Sequence, residues 1–251
     1  MQERRSRTGA GGTQEGEPDV AVLVPAAGAG TRMGSDTRKQ YRELGGETLL
    51  VRTLRAIERC ASVGHIIVAV PGRDLSSVSD RLQGAQLRKL TAVVEGGQTR
   101  QDSVRNALRA VPKPVQVVLV HDGVRPFVPS DRIDAVVDAV RATGAASLAL
   151  PVADTLRRRS DTLSQTVRFG RTVDRDGLFR MQTPQGFRRD WLEQAHRSAR
   201  EDGVLATDDV ELVQRLGHDV VCVNGSAYNI KITTPTDWTL AKALWSSGIM
   251  D

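Results

Sequence analysis

Between residues 19 and 150, short apolar runs alternate with stretches of helical spacing, and few architectures accept that rhythm. Residues 20–25, 65–70, 91–94, 117–120 and 145–150 read as buried strands. The intervening stretches read as helices. Thr48 caps one that runs to Cys60, with Leu50, Leu54 and Ile57 on one face. Another covers residues 75–82. A third covers 101–111, with Val104, Leu108 and Val111 aligned. A fourth starts at a cap on Ser130 or Asp131 and runs to about Ala142. Strand–helix alternation of this kind predicts an α/β fold with a doubly wound, mostly parallel sheet. Its crossovers are right-handed, and its ligands sit beyond the carboxyl ends of the strands.

The rhythm breaks after Pro151. Residues 154–173 are polar and hold five arginines. Alternation over Thr166-Val167-Arg168-Phe169 predicts an extended hairpin, a protruding β-arm that cannot bury itself and so suits a homodimer contact. The chain returns with helices at 191–199 and 208–216, a strand at 220–223, a further strand at 228–232, and a closing helix at 235–245 that starts on a proline. Residues 1–18 carry no apolar periodicity and read as a disordered tail, leaving 19–251 as a single domain.

Charge narrows the function classes. The formal net charge is +5, and the first 18 residues contribute nothing to it, with Arg4, Arg5 and Arg7 set against Glu3, Glu15 and Glu17. The basic excess therefore belongs to the folded part, where the arginines are dispersed among loops. That distribution suits small anionic substrates better than nucleic acid. A single-strand nucleic-acid binder interleaves cations with aromatics, and aromatics are only 4% of this chain. No run approaches the roughly 20 apolar residues of a membrane span, and no apolar stretch follows the first arginines as in a secretory signal. Two cysteines, Cys60 and Cys222, sit beside apolar runs and read as core thiols, which fits a cytoplasmic location.

Three segments carry chemistry, and each follows a different strand. In Pro25-Ala26-Ala27-Gly28-Ala29-Gly30-Thr31-Arg32-Met33 a buried strand runs into a loop of small residues whose N–H groups can approach phosphate oxygens. Arg32 and Lys39 add two cations. The loop is not a dinucleotide fingerprint, because Met33 occupies the sixth position, and it lacks the Gly-Lys-Ser/Thr of a triphosphate P-loop. Glu95-Gly96-Gly97-Gln98-Thr99-Arg100 follows the third strand and opens a helix, where free N–H groups favour an anion. His121-Asp122-Gly123-Val124-Arg125 follows the fourth. Its Asp122 is placed to meet a phosphate-bound metal, and Arg125 can grip a phosphate. Read alone, each segment also fits a plain turn, cap or ion pair. All three fall at one edge of the sheet, and that coincidence points to a shared crevice.

The first loop, with Lys39-Gln40-Tyr41, resembles the signature of nucleotidyltransferases acting on sugar phosphates. Further motifs narrow the likeness: Gly96-Gly97 with Arg100 and Ser103, His121-Asp122 with Arg125-Pro126, Asp154-Thr155, Asp174-Arg175, Thr183-Pro184-Gln185, Thr207-Asp208 and Asn229-Ile230-Lys231. Together they resemble the 2-C-methyl-D-erythritol 4-phosphate cytidylyltransferase family over nearly all of the chain after the tail. The resemblance implies a Rossmann-like nucleotidyltransferase fold and Mg2+-dependent transfer of a cytidylyl group from CTP to a polyol phosphate. It implies catalytic roles for Arg32, Lys39, Arg175 and Lys231. Ala26, Ala27, Gly28, Gly97, Arg100, Ser103 and Asp122 would hold the nucleotide, with Asp122 near the metal. Arg125, Thr155, Arg175, Thr207 and Lys231 would hold the acceptor. In that family the arm crosses to a second subunit. Another polyol phosphate acceptor, such as ribitol 5-phosphate, is the near alternative, and a non-catalytic nucleotide- or RNA-binding protein is the distant one. Two departures stand out: Arg38 replaces a common proline, and Gly123-Val124 replaces a pair of alanines.

Overall fold

The computed structural model describes residues 19–28, 38–160 and 166–248. Arg32, the 1–18 tail and the tip of the arm lie outside them. In chain order the elements are β1 (Val20–Pro25), β2 (Glu43–Leu44), β3 (Glu47–Thr48), α1 (Leu49–Glu58), β4 (His65–Val70), α2 (Leu75–Gly84), β5 (Leu90–Glu95), α3 (Arg100–Leu108), β6 (Val117–Val120), α4 (Ser130–Thr143) and β7 (Ala145–Pro151). After them come β8 (Leu156–Arg159), β9 (Phe169–Val173), β10 (Phe179–Arg188), α5 (Arg189–Glu201), α6 (Asp209–Gln214), β11 (Val221–Asn224) and α7 (Pro235–Ser246).

Seven strands form one sheet in the order β11-β7-β10-β6-β1-β4-β5. Every pairing is parallel except those of β10, which runs antiparallel between β6 and β7. The mixed, mostly parallel sheet bears out the expected class. Alternation along β1 shows why both faces need cover. Val20, Val22 and Val24 enter one core with α1, α2 and α4, while Ala21 and Leu23 enter another with α3, α5 and α6. Winding runs outward from β1 through β4 to β5, then returns to β6 on the other side of β1. The strand order therefore reverses between β1 and β6, the position where such sheets open a crevice.

Four expectations need correction. The strand β10 has no counterpart in the sequence reading. It contains Pro184 and Gly186, and its buried residues include Gln182, Thr183 and Gln185, so neither propensity nor apolar alternation marks it. Residues 228–232 form no strand. They are tied by single bonds, such as the Ile232 N–H to the Val124 carbonyl at 3.0 Å, and not by a ladder. The fourth helix starts after Pro129 without a side-chain cap. Cys60 is buried, but Cys222 is exposed on β11, a strand at one end of the sheet.

The arm is a two-stranded hairpin of β8 and β9, separate from the main sheet. Phe169 is 79% exposed there and Val167 58%. A third apolar cluster lies beyond the strand ends. In it, Trp238 and Ala241 of α7 pack with Leu44, Leu49, Phe127 and Ile232.

Candidate active site

A pocket of about 350 Å³ lies at the carboxyl ends of β1, β5 and β6, within the size range of small-ligand sites. Its wall on the β1 side is Pro25 to Gly28, where the backbone turns off the end of the strand. Lys39 enters from the single helical turn Lys39–Tyr41. That turn is stitched to the β1 loop by the buried Gln40 amide, which donates to the carbonyls of Ala26 at 2.9 Å and Gly28 at 3.2 Å. Arg38 holds φ −57° and ψ 136°, a backbone conformation that proline also takes. Its guanidinium meets Asp74 at 3.2 Å, and the Tyr41 hydroxyl donates to the same carboxylate at 3.3 Å. Burial and the Asp74 charge together push the Tyr41 phenol up to about 12. The departure from proline thus leaves the segment anchored by an ion pair.

The β5 side is shaped by two glycines. A Cβ on Gly96 would run into that of Ala27, and one on Gly97 into that of Asp102, so no side chain fits where the two loops approach. The Ser103 hydroxyl accepts from the Gly97 N–H at 3.1 Å and donates to the Thr99 carbonyl at 2.9 Å. Thr99 caps α3 in a reciprocal box with Asp102 and lines the pocket as well. Thr99 is therefore both helix cap and part of the pocket wall.

Charge gathers at the β6 end. Asp122 is buried, with Arg125 at 3.1 Å, Lys231 at 3.1 Å and Arg100 at 3.6 Å. Burial alone would push its carboxyl up. The charges of Lys231, Arg100 and Arg125 outweigh burial and hold it well below the usual carboxylate range. A short network fixes its backbone. The Asp122 N–H donates to the Thr183 hydroxyl at 3.0 Å, and that hydroxyl lies 3.1 Å from His121 Nδ1. His121 Nε2 then faces the Arg125 carbonyl at 3.1 Å, which assigns the proton to Nε2. Burial lowers the His121 pKa to about 4, so the ring is neutral at pH 7 and serves as structure.

Lys39, Ala26, Ala27, Gly28, Gly97, Arg100, Ser103, Asp122 and Lys231 all line this one pocket. Arg125 does not. It is buried behind Asp122 and spends its guanidinium on that carboxylate and on the Asn229 carbonyl at 2.7 Å, which steadies the segment carrying Lys231. Thr155, Arg175 and Thr207 also lie off the pocket. Thr155 and Arg175 are exposed at the base of the arm, with Arg175 donating to the Ala153 carbonyl. The Thr207 amide and hydroxyl turn onto Glu211, at 2.9 and 3.2 Å.

Several contributors were given no site role from the sequence, among them Thr99, Gln98 and Asp209. Gln98 joins the wall, and Asp209, fully buried at the start of α6, takes Arg100 at 2.6 Å. The acidic pair Asp208-Asp209 opening a helix was the available signal.

Among the described residues, no group of three or more His, Cys, Asp or Glu side chains is placed to hold a metal. Asp122 is the one carboxylate among the described residues that line the pocket. That donor set fits Mg2+ delivered on a triphosphate, which takes one or two carboxylates plus phosphate oxygens, and not an all-protein cage.

The model of the 2-C-methyl-D-erythritol 4-phosphate cytidylyltransferase family matches residues 20–247. A protein of that name from Salinibacter ruber is 58% identical over 90% of this chain and 92% of its own. Another from Pelotomaculum thermopropionicum is 44% identical over 90% and 93%. The crystal structure of the Thermus thermophilus protein of the same name superimposes with a TM-score of 0.75 at 38% identity, covering 91% of this chain and 99% of that one.

Proposed function

The chain belongs to the 2-C-methyl-D-erythritol 4-phosphate cytidylyltransferase family, and we propose that the strand-end pocket is where it carries out the family's reaction. The enzyme transfers a cytidylyl group from CTP to 2-C-methyl-D-erythritol 4-phosphate and releases pyrophosphate. The reading of the site rests on one observation. Three strand-end segments, Lys39 and Lys231 converge on a single pocket around one buried carboxylate.

The chemistry asks little of a proton-transfer group. The attacking oxygen belongs to a phosphate monoester whose second pKa is about 6, so it is already ionised at neutral pH. Its difficulty is to bring two anions together. Lys39 and Lys231 supply positive charge where the triphosphate and the acceptor meet, and Arg32, outside the described residues, joins them in this proposal. Bound Mg2+ would neutralise triphosphate oxygens, with Asp122 as its protein ligand. Gly97 and the small residues 26–28 let the backbone lie against the nucleotide. Arg100, held by Asp209 and Asp122, gives that wall its charge. Arg125 acts on Lys231 through Asp122 and Asn229, as a positioning residue.

Arg175 and Thr155 do not reach the pocket of their own chain. We propose that they serve the pocket of a second copy, docked through the exposed face of the arm, in a cytoplasmic homodimer. CTP and the acceptor are its partners in this reading, with no nucleic acid or membrane. No helix among the described residues is long and apolar enough to cross a membrane.

The decisive assay is pyrophosphate release from a panel of nucleoside triphosphates and polyol phosphates with Mg2+. CTP with 2-C-methyl-D-erythritol 4-phosphate should exceed every other pair. Faster release with ribitol 5-phosphate would reassign the acceptor.

A further inference from the structure

A second cleft, of about 470 Å³, opens between α3 and α5 and shares no lining residue with the nucleotide pocket. Its walls carry five arginines, Arg105, Arg109, Arg189, Arg197 and Arg200, against Glu193 and Glu201. Two of the five are committed. Arg105 meets Asp102 at 2.7 Å, and Arg189 meets Glu193 at 2.8 Å. Arg109, Arg197 and Arg200 take part in no ion pair among the described residues. Positive charge is therefore concentrated in a concave, partly enclosed space where an anion would be attracted.

A separate observation points to a ligand of particular chemistry. His196 lines the same cleft and is 1% exposed. Its Nε2 faces the Asp209 carboxylate at 2.9 Å, yet its buried Nδ1 has no hydrogen-bond partner. The Nε of Arg105, buried in the same wall, has none either. Buried polar atoms are almost always satisfied; both orphans belong to residues that line this basic cleft and lie just beneath its surface, so an occupant reaches them with a shift of the Arg105 and His196 side chains. In the neutral ring that donates Nε2–H to the carboxylate, Nδ1 is an acceptor. What fits beside it is an O–H, and the arginines ask for negative charge.

Asp209 links this cleft to the reaction site. One of its oxygens takes His196, and the other takes Arg100 at 2.6 Å. Arg100 lines the nucleotide pocket and reaches Asp122 at 3.6 Å. We propose that the α3–α5 cleft is a second ligand site for a small anion bearing a phosphate group with a free P–OH. We propose further that its occupancy strengthens CTP binding through His196, Asp209 and Arg100. A donor on Nδ1 makes Nε2–H a stronger donor to Asp209, because hydrogen bonds in a chain polarise one another. Asp209 then holds Arg100 less tightly, and the guanidinium is freer for the triphosphate.

The test uses the full chain and inorganic phosphate as the probe, with sulfate as the control. Phosphate keeps at least one P–OH at neutral pH, whereas sulfate has none. Calorimetric titration should show the double variant Arg197→Gln/Arg200→Gln binding phosphate about tenfold or more weaker than the parent, since each loses a charge-assisted contact. Turnover of that variant without phosphate should be unchanged. Lys39→Ala should bind phosphate as the parent does, and sulfate should bind several-fold weaker than phosphate. Phosphate should lower the KM for CTP in the parent relative to the double variant by about fivefold, the small end of typical coupling. Equal phosphate affinity in parent and double variant, or its loss in Lys39→Ala, would overturn the site. Equal affinity for sulfate would remove His196 from recognition, and an unshifted KM would remove the coupling. The titration does not depend on the cytidylyl reading; failure of that reading would appear instead as no pyrophosphate from the parent under any condition.

Discussion

Lys39 and Arg175 both belong to the proposed reaction, yet they sit in regions built by opposite means. The pocket around Lys39 is assembled inside one chain, from strand ends whose roots are buried in two cores, and its charges are cross-tied. Asp122 alone gathers Arg100, Arg125 and Lys231 from three segments. The arm near Arg175 is a two-stranded hairpin with exposed Phe169 and Val167. A hairpin of that size has no core of its own. The contrast teaches where preorganisation comes from. The electrostatic side is fixed by folding, whereas in the proposed dimer the Arg175 part of the acceptor side waits for a second surface.

The largest expected effect lies in the pocket. Lys39→Ala should lower the rate of pyrophosphate release by about 10²–10³-fold, the usual scale for losing one stabilising donor, while the melting temperature stays near the parent's. Arg32→Ala should behave alike. A rate within a few-fold of the parent's would remove either cation from the mechanism.

The pocket's frame should also show itself in pH. The folded-state pKa of His121 is about 4, below its ordinary value of 6.5. Between those values the unfolded chain binds the extra proton, so stability is full above pH 6.5 and falls as pH drops toward 4. The difference is about 3 kcal/mol. Urea titrations at pH 7 and pH 4 measure it, and His121→Gln should flatten that part of the profile.

On the arm side the expected effects are kinetic and intermolecular. Arg175→Ala should raise the KM for 2-C-methyl-D-erythritol 4-phosphate about tenfold or more, as loss of a charged contact does, and leave that for CTP unchanged. At acceptor concentrations well below the parent's KM, where both variants are impaired, mixing the Lys39→Ala and Arg175→Ala chains should bring the rate to about a quarter of the parent's, because half the random dimers carry one intact site. No recovery on mixing would mean that the arm serves its own chain, which would break the contrast. The smallest effect on stability is expected from Phe169→Ser. It should loosen the dimer, read as a concentration-dependent mass by light scattering, and cost the isolated chain within about 0.5 kcal/mol.

Much of this division was legible in the residues. The β1, β4 and β6 strands, the Thr48 cap and the proline-led last helix follow from local chemistry, and all lie where the pattern puts them. The convergence of three strand-end loops was likewise readable, because parallel winding sends every such loop to one edge. The segment that escaped was β10. Its Gln182, Thr183 and Gln185 are buried polar residues that satisfy partners far along the chain: Ser226, His121 and Asp208. Residues chosen for such partners carry no apolar period, and Pro184 argues against a central strand.

The sequence by itself determined the α/β class, the edge of the sheet where the pocket opens, and the set of cations available there, since each follows from periodicity and from residue type. Only the tertiary structure decided how those cations are spent. Lys39, Lys231 and Arg100 face the pocket, Arg125 is buried as a strut, and Arg175 is left outside. The physical reason is that a side chain's partner is set by distances across the fold, between residues as far apart as Arg100 and Asp209, which no local pattern encodes.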